Sequence, residues 1–175
     1  RAANLAIPDA KAGMKTLLIE RDLLSGVCPN RGCVPSKLLI GFAEAARHVR
    51  EAGRHFIDAD FRSIDARRIF ESVNGYIGQV DGRYQGRVDD AGVELVRGEG
   101  RFIGMKTIAA AGRKFTANRI AVATGSRPAP PPFAHLPVWT SDSLFPLEGD
   151  VPKSLLVIGG GFIGCEMAAF FSAIG

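Results

Sequence analysis

A glycine-rich turn between an apolar run and a helical pattern constrains the fold of this chain more than any other feature. Residues 159–164 (GGGFIG) follow the apolar residues 155–158 and precede a segment with helical character. In dinucleotide-binding folds such a turn lets the backbone approach a pyrophosphate and opens a helix whose N-terminus attracts the phosphate charge. A GxGxxG match alone is weak, but a strand, a turn and a helix in this order supply its context. The segment therefore predicts a βα unit of a nucleotide-binding fold.

A weaker sign of the same fold lies near the other end of the chain. Residues 15–20 (KTLLIE) have the pattern of a buried strand that ends in Glu20. A ribose-binding acid ends such a strand in dinucleotide-binding folds, about 20 residues after the glycine turn. That distance places the turn at or before Arg1, so the sequence predicts that the preceding strand and phosphate loop are missing. Taken alone, Glu20 is better explained as a surface acid.

Two of the three cysteines lie close together in the sequence. Cys28 and Cys33 enclose the loop CPNRGC, just before a predicted helix over residues 36–52. A disulfide across so small a loop contributes only about 2 kcal/mol, so stapling is a weak reason for the pair. Helix-end amides and Lys37 favour a reactive thiolate here. A redox pair is the favoured interpretation. Inert loop cysteines or a metal pair are the alternatives, although zinc pairs usually have two to four intervening residues and a zinc site needs two further ligands.

The rest of the sequence alternates helical and strand patterns, which predicts the α/β class. The predicted helices cover residues 2–12, 36–52 and 64–88, with Pro8 a costly residue inside the first and Ser63 or Asp65 a cap of the third. Short strands separated by glycine turns are predicted between residues 93 and 123. A loop over 21–34 and a proline-rich linker over 127–137 complete the pattern.

Composition argues against several classes of function. Of 175 residues, 46% are apolar and 23% charged, as in globular proteins, and no apolar run approaches the roughly 18 residues of a membrane span. The net charge of +4 is dispersed, without the charge blocks or aromatic–basic interleaving typical of nucleic-acid binding. The first residues, RAANLAIPDA, lack the pattern of a signal peptide.

Three motifs together carry a family resemblance. The segments CPNRGCVPSK (28–37), ATGSRP (123–128) and GGGFIGCE (159–166) resemble the pyridine nucleotide-disulfide oxidoreductases, the FAD enzymes that include dihydrolipoamide dehydrogenase, glutathione reductase and mercuric reductase. The resemblance covers nearly the whole chain, and the cysteine motif is its most specific part. It implies an incomplete FAD-binding Rossmann-like domain over residues 1–149. Residues 150–175 would be the first β-α unit of an NAD(P)-binding Rossmann domain.

The resemblance also implies roles for individual residues. Cys28 corresponds to the interchange thiol, and Cys33 to the thiol beside the flavin. Lys37 corresponds to the lysine near the reactive nitrogen of the flavin, and Glu166 to the acid that pairs with it. The residues expected to contact cofactors are Glu20 at the FAD ribose, Thr124 and Gly125 in a turn beside FAD, and Gly159, Gly161, Phe162 and Gly164 at the nicotinamide dinucleotide.

Some positions depart from the family pattern. Ser25, Val27 and Arg31 differ from the residues usual in and before the cysteine motif. The interface domain that supplies a His-Glu base in the family has no counterpart here, since none of the chain's histidines (His48, His55 and His135) matches it.

The resemblance implies an enzyme that moves electrons between a nicotinamide, FAD and the cysteine pair. The segment VPSKLL favours the dihydrolipoamide dehydrogenase branch, with a mercuric reductase-like enzyme or a non-catalytic remnant as the alternatives. The expected substrate is a small thiol or disulfide, with no metal, nucleic acid or membrane involved. The full-length enzyme is expected to be a cytoplasmic homodimer, and this chain alone is expected to be inactive.

Overall fold

The computed structural model describes residues 2–130, 133 and 135–175 and has the predicted mixed α/β character. The helices are α1 (Ala3–Lys11), α2 (Val27–Arg31), α3 (Cys33–Arg50), α4 (Ala66–Asp90), α5 (Ser141–Leu144) and α6 (Phe162–Ile174), with a short 3₁₀ helix at Ala52–His55. The strands are β1 (Leu17–Glu20), β2 (Glu94–Arg97), β3 (Arg101–Gly104), β4 (Thr107–Ala110) and β5 (Arg113–Thr116). Among the described residues, no helix is long and apolar enough to cross a membrane.

The chain divides into two compact units. The strand unit comprises Arg1–Val27 and Gly78–Arg127, and the helix unit comprises Cys28–Ile77 and Pro128–Gly175. Each unit has its own apolar core, formed by apolar helix faces in both units and also by β1 in the strand unit.

The strand unit contains two small sheets. Strand β1 pairs in parallel with β2, and β3, β4 and β5 form an antiparallel meander. The core residues come from α1, β1, the second half of α4 and the adjoining loops: Ala3, Ala6, Ile7, Leu18, Leu24, Val80, Tyr84, Val88 and Val93. The three members on α4 (Val80, Tyr84 and Val88) are spaced four residues apart, which places them on one helix face.

Helix α1 is continuous through Pro8, whereas the sequence indicated that this proline breaks the first helix. Proline lacks the amide proton for a helical hydrogen bond and costs about 3 kcal/mol in a helix interior. Ala3, Ala6 and Ile7 of the same helix are buried in the core of the strand unit. Their burial supplies the favourable free energy that offsets the interruption.

Arg97 ties the end of β2 to the loop that follows β1. Its Nη1 donates a hydrogen bond to the carbonyl of Asp22 at 2.7 Å, and its Nη2 donates to Gln85 at 3.0 Å. The same guanidinium lies 3.7 Å from the carboxylate of Asp81, which accepts a hydrogen bond from the amide of Ser25 at 3.3 Å. These bonds anchor the start and the end of the loop between Glu20 and the cysteine motif.

The helix unit is built on the packing of α3 against α6. Its core joins these helices to the first part of α4 and to the segment after α5: Leu39, Ala43, Ile69, Phe70, Val73, Phe145, Leu147, Met167, Phe170 and Ile174. Of the two predicted caps of α4, Asp65 is confirmed, because its Oδ1 accepts a hydrogen bond from the amide of Arg68 at 3.1 Å.

Two boundaries near the cysteines were predicted wrongly. Residues 21–34 are not a continuous loop, because α2 forms at Val27–Arg31, and α3 begins at Cys33 rather than Ser36. Pro35 does not prevent the earlier start, since amides in the first turn of a helix have no partner inside the helix that proline could remove.

Two predicted strands are also wrong. Residues 120–123 and 155–158 are irregular, with Val122 68% and Leu156 85% exposed. A strand needs a neighbour for its backbone hydrogen bonds, and within the described ranges no strand pairs with either segment. The proline-rich linker predicted at 127–137 includes residues 131, 132 and 134, which lie outside the described residues.

Candidate functional site

The cysteine pair lies where two helices of the helix unit meet. Cys28 is the second residue of α2 and is half-buried, whereas Cys33 is the first residue of α3 and is exposed. Cys165, the third cysteine of the chain, is exposed as well. The N-terminus of an 18-residue helix favours negative charge at Cys33. Cys33 is therefore closer to the helix amides than the sequence indicated.

An ion pair joins α3 to α6 one turn beyond Cys33. The Nζ of Lys37 donates to Oε1 of Glu166. The side chain of Lys37 is 64% exposed and that of Glu166 is 23% exposed, so the carboxylate is the more enclosed partner. The two residues are 129 positions apart in the sequence, and the packing of α3 on α6 brings them together.

The carboxyl group of Glu166 has a lowered pKa. The main cause is the hydrogen bond from Lys37, followed by a hydrogen bond from the side chain of Ser36, and the charge of Lys37 acts in the same direction. Partial burial opposes these effects, because desolvation disfavours the charged form. The carboxylate is thus stabilised as an anion by two neighbours from the first turns of α3.

The glycines before α6 meet different structural demands. Gly159 has φ +100°, a backbone conformation that side-chain-bearing residues rarely adopt. A Cβ at Gly164 would lie 2.8 Å from the carbonyl oxygen of Gly159 and 3.1 Å from Cγ1 of Val157. A Cβ at Gly161, the N-cap of α6, would meet nothing within 4 Å. Close packing at Gly164 and open space at Gly161 are what a pyrophosphate-binding turn requires.

Two further residues lie beside this turn. Phe162, the first residue of α6, is 79% exposed, so its ring is available to a ligand. Cys165 donates a hydrogen bond from Sγ to the carbonyl of Gly160 at 3.5 Å and so contacts the same turn.

The predicted FAD contacts in the strand unit lie at the end of a strand and in an exposed turn. Glu20 ends β1, whose parallel pairing with β2 places the carboxylate at the edge where α/β sheets bind ligands. Its Oε1 accepts a hydrogen bond from the amide of Asp22 at 2.9 Å, which orients the carboxylate. Thr124 and Gly125 are exposed, and the nearest atom to a Cβ at Gly125 would be Cγ2 of Val27 at 4.0 Å.

The structure thus groups the predicted residues into two sets. The strand unit contains Glu20, Thr124 and Gly125, and the helix unit contains the cysteine pair, the Lys37–Glu166 ion pair and the glycine turn. Sequence reasoning missed the effect of Ser36 on the pKa of Glu166, because no local signal links two residues so far apart in the sequence. The described residues contain no group of three or more His, Cys, Asp or Glu side chains that could hold a metal ion.

Comparison with known proteins places these features in a family. A family model described as pyridine nucleotide-disulphide oxidoreductase matches residues 2–175. Dihydrolipoyl dehydrogenase from Thermus scotoductus is 35% identical over an alignment of 173 residues, and the match covers 97% of this chain and 37% of the relative. Mercuric reductase from Bacillus cereus is 33% identical over 99% of this chain and 28% of the relative.

A solved structure agrees with these matches. The Cu(II) complex of the HOCl-induced flavoprotein disulfide reductase RclA from Escherichia coli superposes with a TM-score of 0.81 at 25% identity, over 99% of this chain and 37% of that one. The chain therefore spans 37% of the length of the Thermus scotoductus relative and of the RclA chain, and 28% of the length of the mercuric reductase. Because the family model extends over residues 2–175, which include the cysteine pair, the ion pair and the glycine turn, the chain belongs to the pyridine nucleotide-disulfide oxidoreductases.

Proposed function

We propose that this chain is part of an FAD-dependent NAD(P)-disulfide oxidoreductase of the dihydrolipoamide dehydrogenase type. The observation that carries the proposal is the arrangement on α3, where a thiol at the helix N-terminus is followed one turn later by a lysine paired with Glu166 of α6. The whole protein would act on a small disulfide as a homodimer. Its expected location is the cytoplasm, because a catalytic use of cysteines fits a reducing compartment.

The cysteine pair would perform thiol–disulfide exchange. The thiolate of Cys28 attacks one sulfur of the substrate disulfide, forms a mixed disulfide and releases the other half as a thiolate. The thiolate of Cys33 then attacks the sulfur of Cys28 and releases the second half. The substrate disulfide has gained two electrons, and Cys28 and Cys33 have become a disulfide. In the opposite direction a dithiol substrate reduces that disulfide.

The proposed cofactor contacts divide between the strand unit and the helix unit. Glu20, Thr124 and Gly125 would hold FAD, and the turn at 159–164 with Phe162 would hold NAD(P). FAD, when bound, supplies the two-electron chemistry that links a nicotinamide to the cysteine pair. Lys37 would place its ammonium beside the flavin, with Glu166 as its counter-charge. We propose residues 1–149 as the FAD-binding domain and 150–175 as the start of the NAD(P)-binding domain.

A mercuric reductase-like activity is the second candidate. Mercuric reductases match the chain at an identity close to that of the dihydrolipoyl dehydrogenases, and thiolates bind soft metal ions well. In this case Cys28 and Cys33 would bind Hg²⁺ as a substrate instead of exchanging with a disulfide. The two candidates differ in the molecule that reaches the thiols, so a direct test at the thiols separates them.

The test is to trap the exchange intermediate in the reduced chain. With Cys33→Ser and excess lipoamide disulfide, followed by a quench with iodoacetamide, we expect a covalent adduct on Cys28, detected by intact mass and located by peptide mapping. Cys33 is then absent and cannot release the adduct, and the quench caps the second thiol of the opened lipoamide ring, which would otherwise close the ring again and expel Cys28. Cys28→Ser should form far less adduct, and Cys165→Ser is the control that should behave like the unaltered chain. The dithiol form of the unaltered chain should reduce lipoamide disulfide once per cysteine pair.

Two results would overturn the leading proposal. One is equal adduct formation on Cys28→Ser and Cys33→Ser, which would mean that the cysteines act independently. The other is a dithiol that ignores lipoamide disulfide but binds Hg²⁺ with one ion per pair, which would favour the second candidate.

A further inference from the structure

The orientation of the Glu20 side chain at the end of β1 depends on a loop residue. Glu20 is half-buried, and its Oε1 accepts a hydrogen bond from the backbone amide of Asp22 at 2.9 Å. Asp22 is exposed and lies in the irregular segment between β1 and α2. A single hydrogen bond within reach of water contributes little by itself. The carboxylate is therefore only as well oriented as the backbone of Asp22.

Two consecutive residues at the end of β2 hold the backbone on both sides of that amide. The amide of Gly98 donates to the carbonyl of Glu20 at 2.9 Å. Nη1 of Arg97 donates to the carbonyl of Asp22 at 2.7 Å. Only Arg21 separates Glu20 from Asp22 in the chain. The amide of Asp22 thus lies between two carbonyls that are both bound to the end of β2.

The guanidinium of Arg97 is itself held by two side chains of α4. Its Nη2 donates to Oε1 of Gln85 at 3.0 Å and lies 3.7 Å from Oδ2 of Asp81. These two residues are four positions apart, so they lie on one face of the helix. A guanidinium is a rigid planar fork with several donors, so it meets these acceptors and the Asp22 carbonyl in one geometry. Every residue of this network belongs to the strand unit.

We propose that Arg97 is a positioning residue, which fixes Asp22 so that its amide keeps the Glu20 carboxylate in one orientation. A carboxylate oxygen accepts more than one hydrogen bond, so the Asp22 amide leaves acceptor sites on Glu20 for the hydroxyls of a ribose. A carboxylate that is held in advance loses less conformational freedom when it binds them. The part that concerns ribose rests on the function proposed above, whereas the network involves only residues of this chain.

The first test is the NMR shift of the Asp22 amide proton in the purified chain without cofactor, followed across the pH range in which carboxyl groups titrate. An amide proton bound to a carboxylate shifts when that carboxylate is protonated, because the hydrogen bond weakens. The same titration after Glu20→Gln, made in each background, gives the contribution of all other groups, including the carboxyl of Asp22. The difference between the two titrations is the Glu20-dependent shift.

Arg97→Met removes the donors of Arg97 and keeps most of the apolar stem, and we expect it to lose most of the Glu20-dependent shift. Arg97→Lys keeps the charge but not the planar fork, so we expect an intermediate shift. Arg101→Ala, which removes an exposed arginine of β3, is the matched control and should keep the full shift. A full shift in folded Arg97→Met would overturn the proposal. If that variant does not fold, a full shift in Arg97→Lys overturns it.

The second test measures FAD affinity by a flavin fluorescence titration. We expect Arg97→Met to weaken binding about fivefold, the effect of roughly one hydrogen bond. In a Glu20→Ala background the same substitution should have little further effect, because Arg97 acts through Glu20. Equal losses in the two backgrounds would contradict the proposal. Failure of the unaltered chain to bind FAD would count against the proposed function, and the amide test would still decide the role of Arg97.

Discussion

At the scale of single residues, the glycine turn before α6 shows how one motif combines different physical demands. Gly159 is needed for its backbone conformation, while Gly164 is needed because the helix and the chain before it approach too closely for a side chain. Gly160 and Gly161 have open space around them. Substitution at these positions should therefore affect stability unequally, although all belong to the same motif.

Replacement of Gly164 by alanine should destabilise the chain by about 1–3 kcal/mol, the usual cost of overpacking. The cause is that the new Cβ would lie 2.8 Å from the Gly159 carbonyl oxygen, a backbone atom that cannot move aside without disturbing the turn. Urea unfolding followed by circular dichroism measures the loss. Gly160→Ala is the control and should cost far less, and equal losses in both variants would contradict this explanation.

At the scale of elements, side chains distant in sequence connect segments that have little regular structure of their own. Asn74 of α4 donates from Nδ2 to the carbonyl of Leu147 at 2.6 Å and accepts from the amide of Leu147 at 2.9 Å. The side-chain amide replaces the backbone partner that a neighbouring strand would supply. This pair attaches the segment after α5 to α4, as Arg97 attaches the loop after β1 to β2.

Asn74→Ala should lower the free energy of unfolding by about 1–3 kcal/mol, because it leaves the polar backbone groups of the buried Leu147 without these partners. Asn74→Asp should recover only part of the loss, since a carboxylate accepts from the amide but cannot donate to the carbonyl. Thermal unfolding of both variants tests this, with Gln79→Ala, an exposed change on the same helix, as the control. A stable Asn74→Ala would show that the segment is held by apolar contacts alone.

At the scale of the whole molecule, the two segments that lead into the turns proposed to bind cofactors are irregular. Residues 120–123 precede the turn with Thr124 and Gly125, and residues 155–158 precede the glycine turn. Within the part of the chain that the structure describes, neither is hydrogen-bonded into a sheet. The backbone groups proposed to bind a phosphate or a flavin are therefore less preorganised than they would be if these segments were strands of a sheet.

We expect the purified chain to hold less than one FAD per molecule after gel filtration and to show no NADH- or NADPH-dependent reduction of lipoamide disulfide. Ordering the two irregular segments costs free energy that cofactor binding must offset, which weakens affinity. Absorbance spectra and a coupled NAD(P)H assay measure both quantities. A flavin-saturated yellow preparation with steady turnover would contradict the expectation.

Much of this fold and site could be predicted from local patterns. The helices α1, α3, α4 and α6 and the strands β1 to β5 follow from apolar spacing and glycine turns, which depend on neighbours in sequence. The cysteine pair beside a helix start and the glycine turn before α6 are likewise contiguous motifs. Two strand predictions were wrong because residues 120–123 and 155–158 have the right composition but no partner strand among the described residues.

The sequence by itself determined the family resemblance, the helical segments and the chemistry available at Cys28, Cys33 and Lys37. Only the tertiary structure decided that Asn74 and Arg97 hold particular segments in place. It also decided which strand-like segments pair. The physical reason is that periodicity and helix ends are local properties. Hydrogen bonds and strand pairing between distant residues depend on how the helices and strands pack.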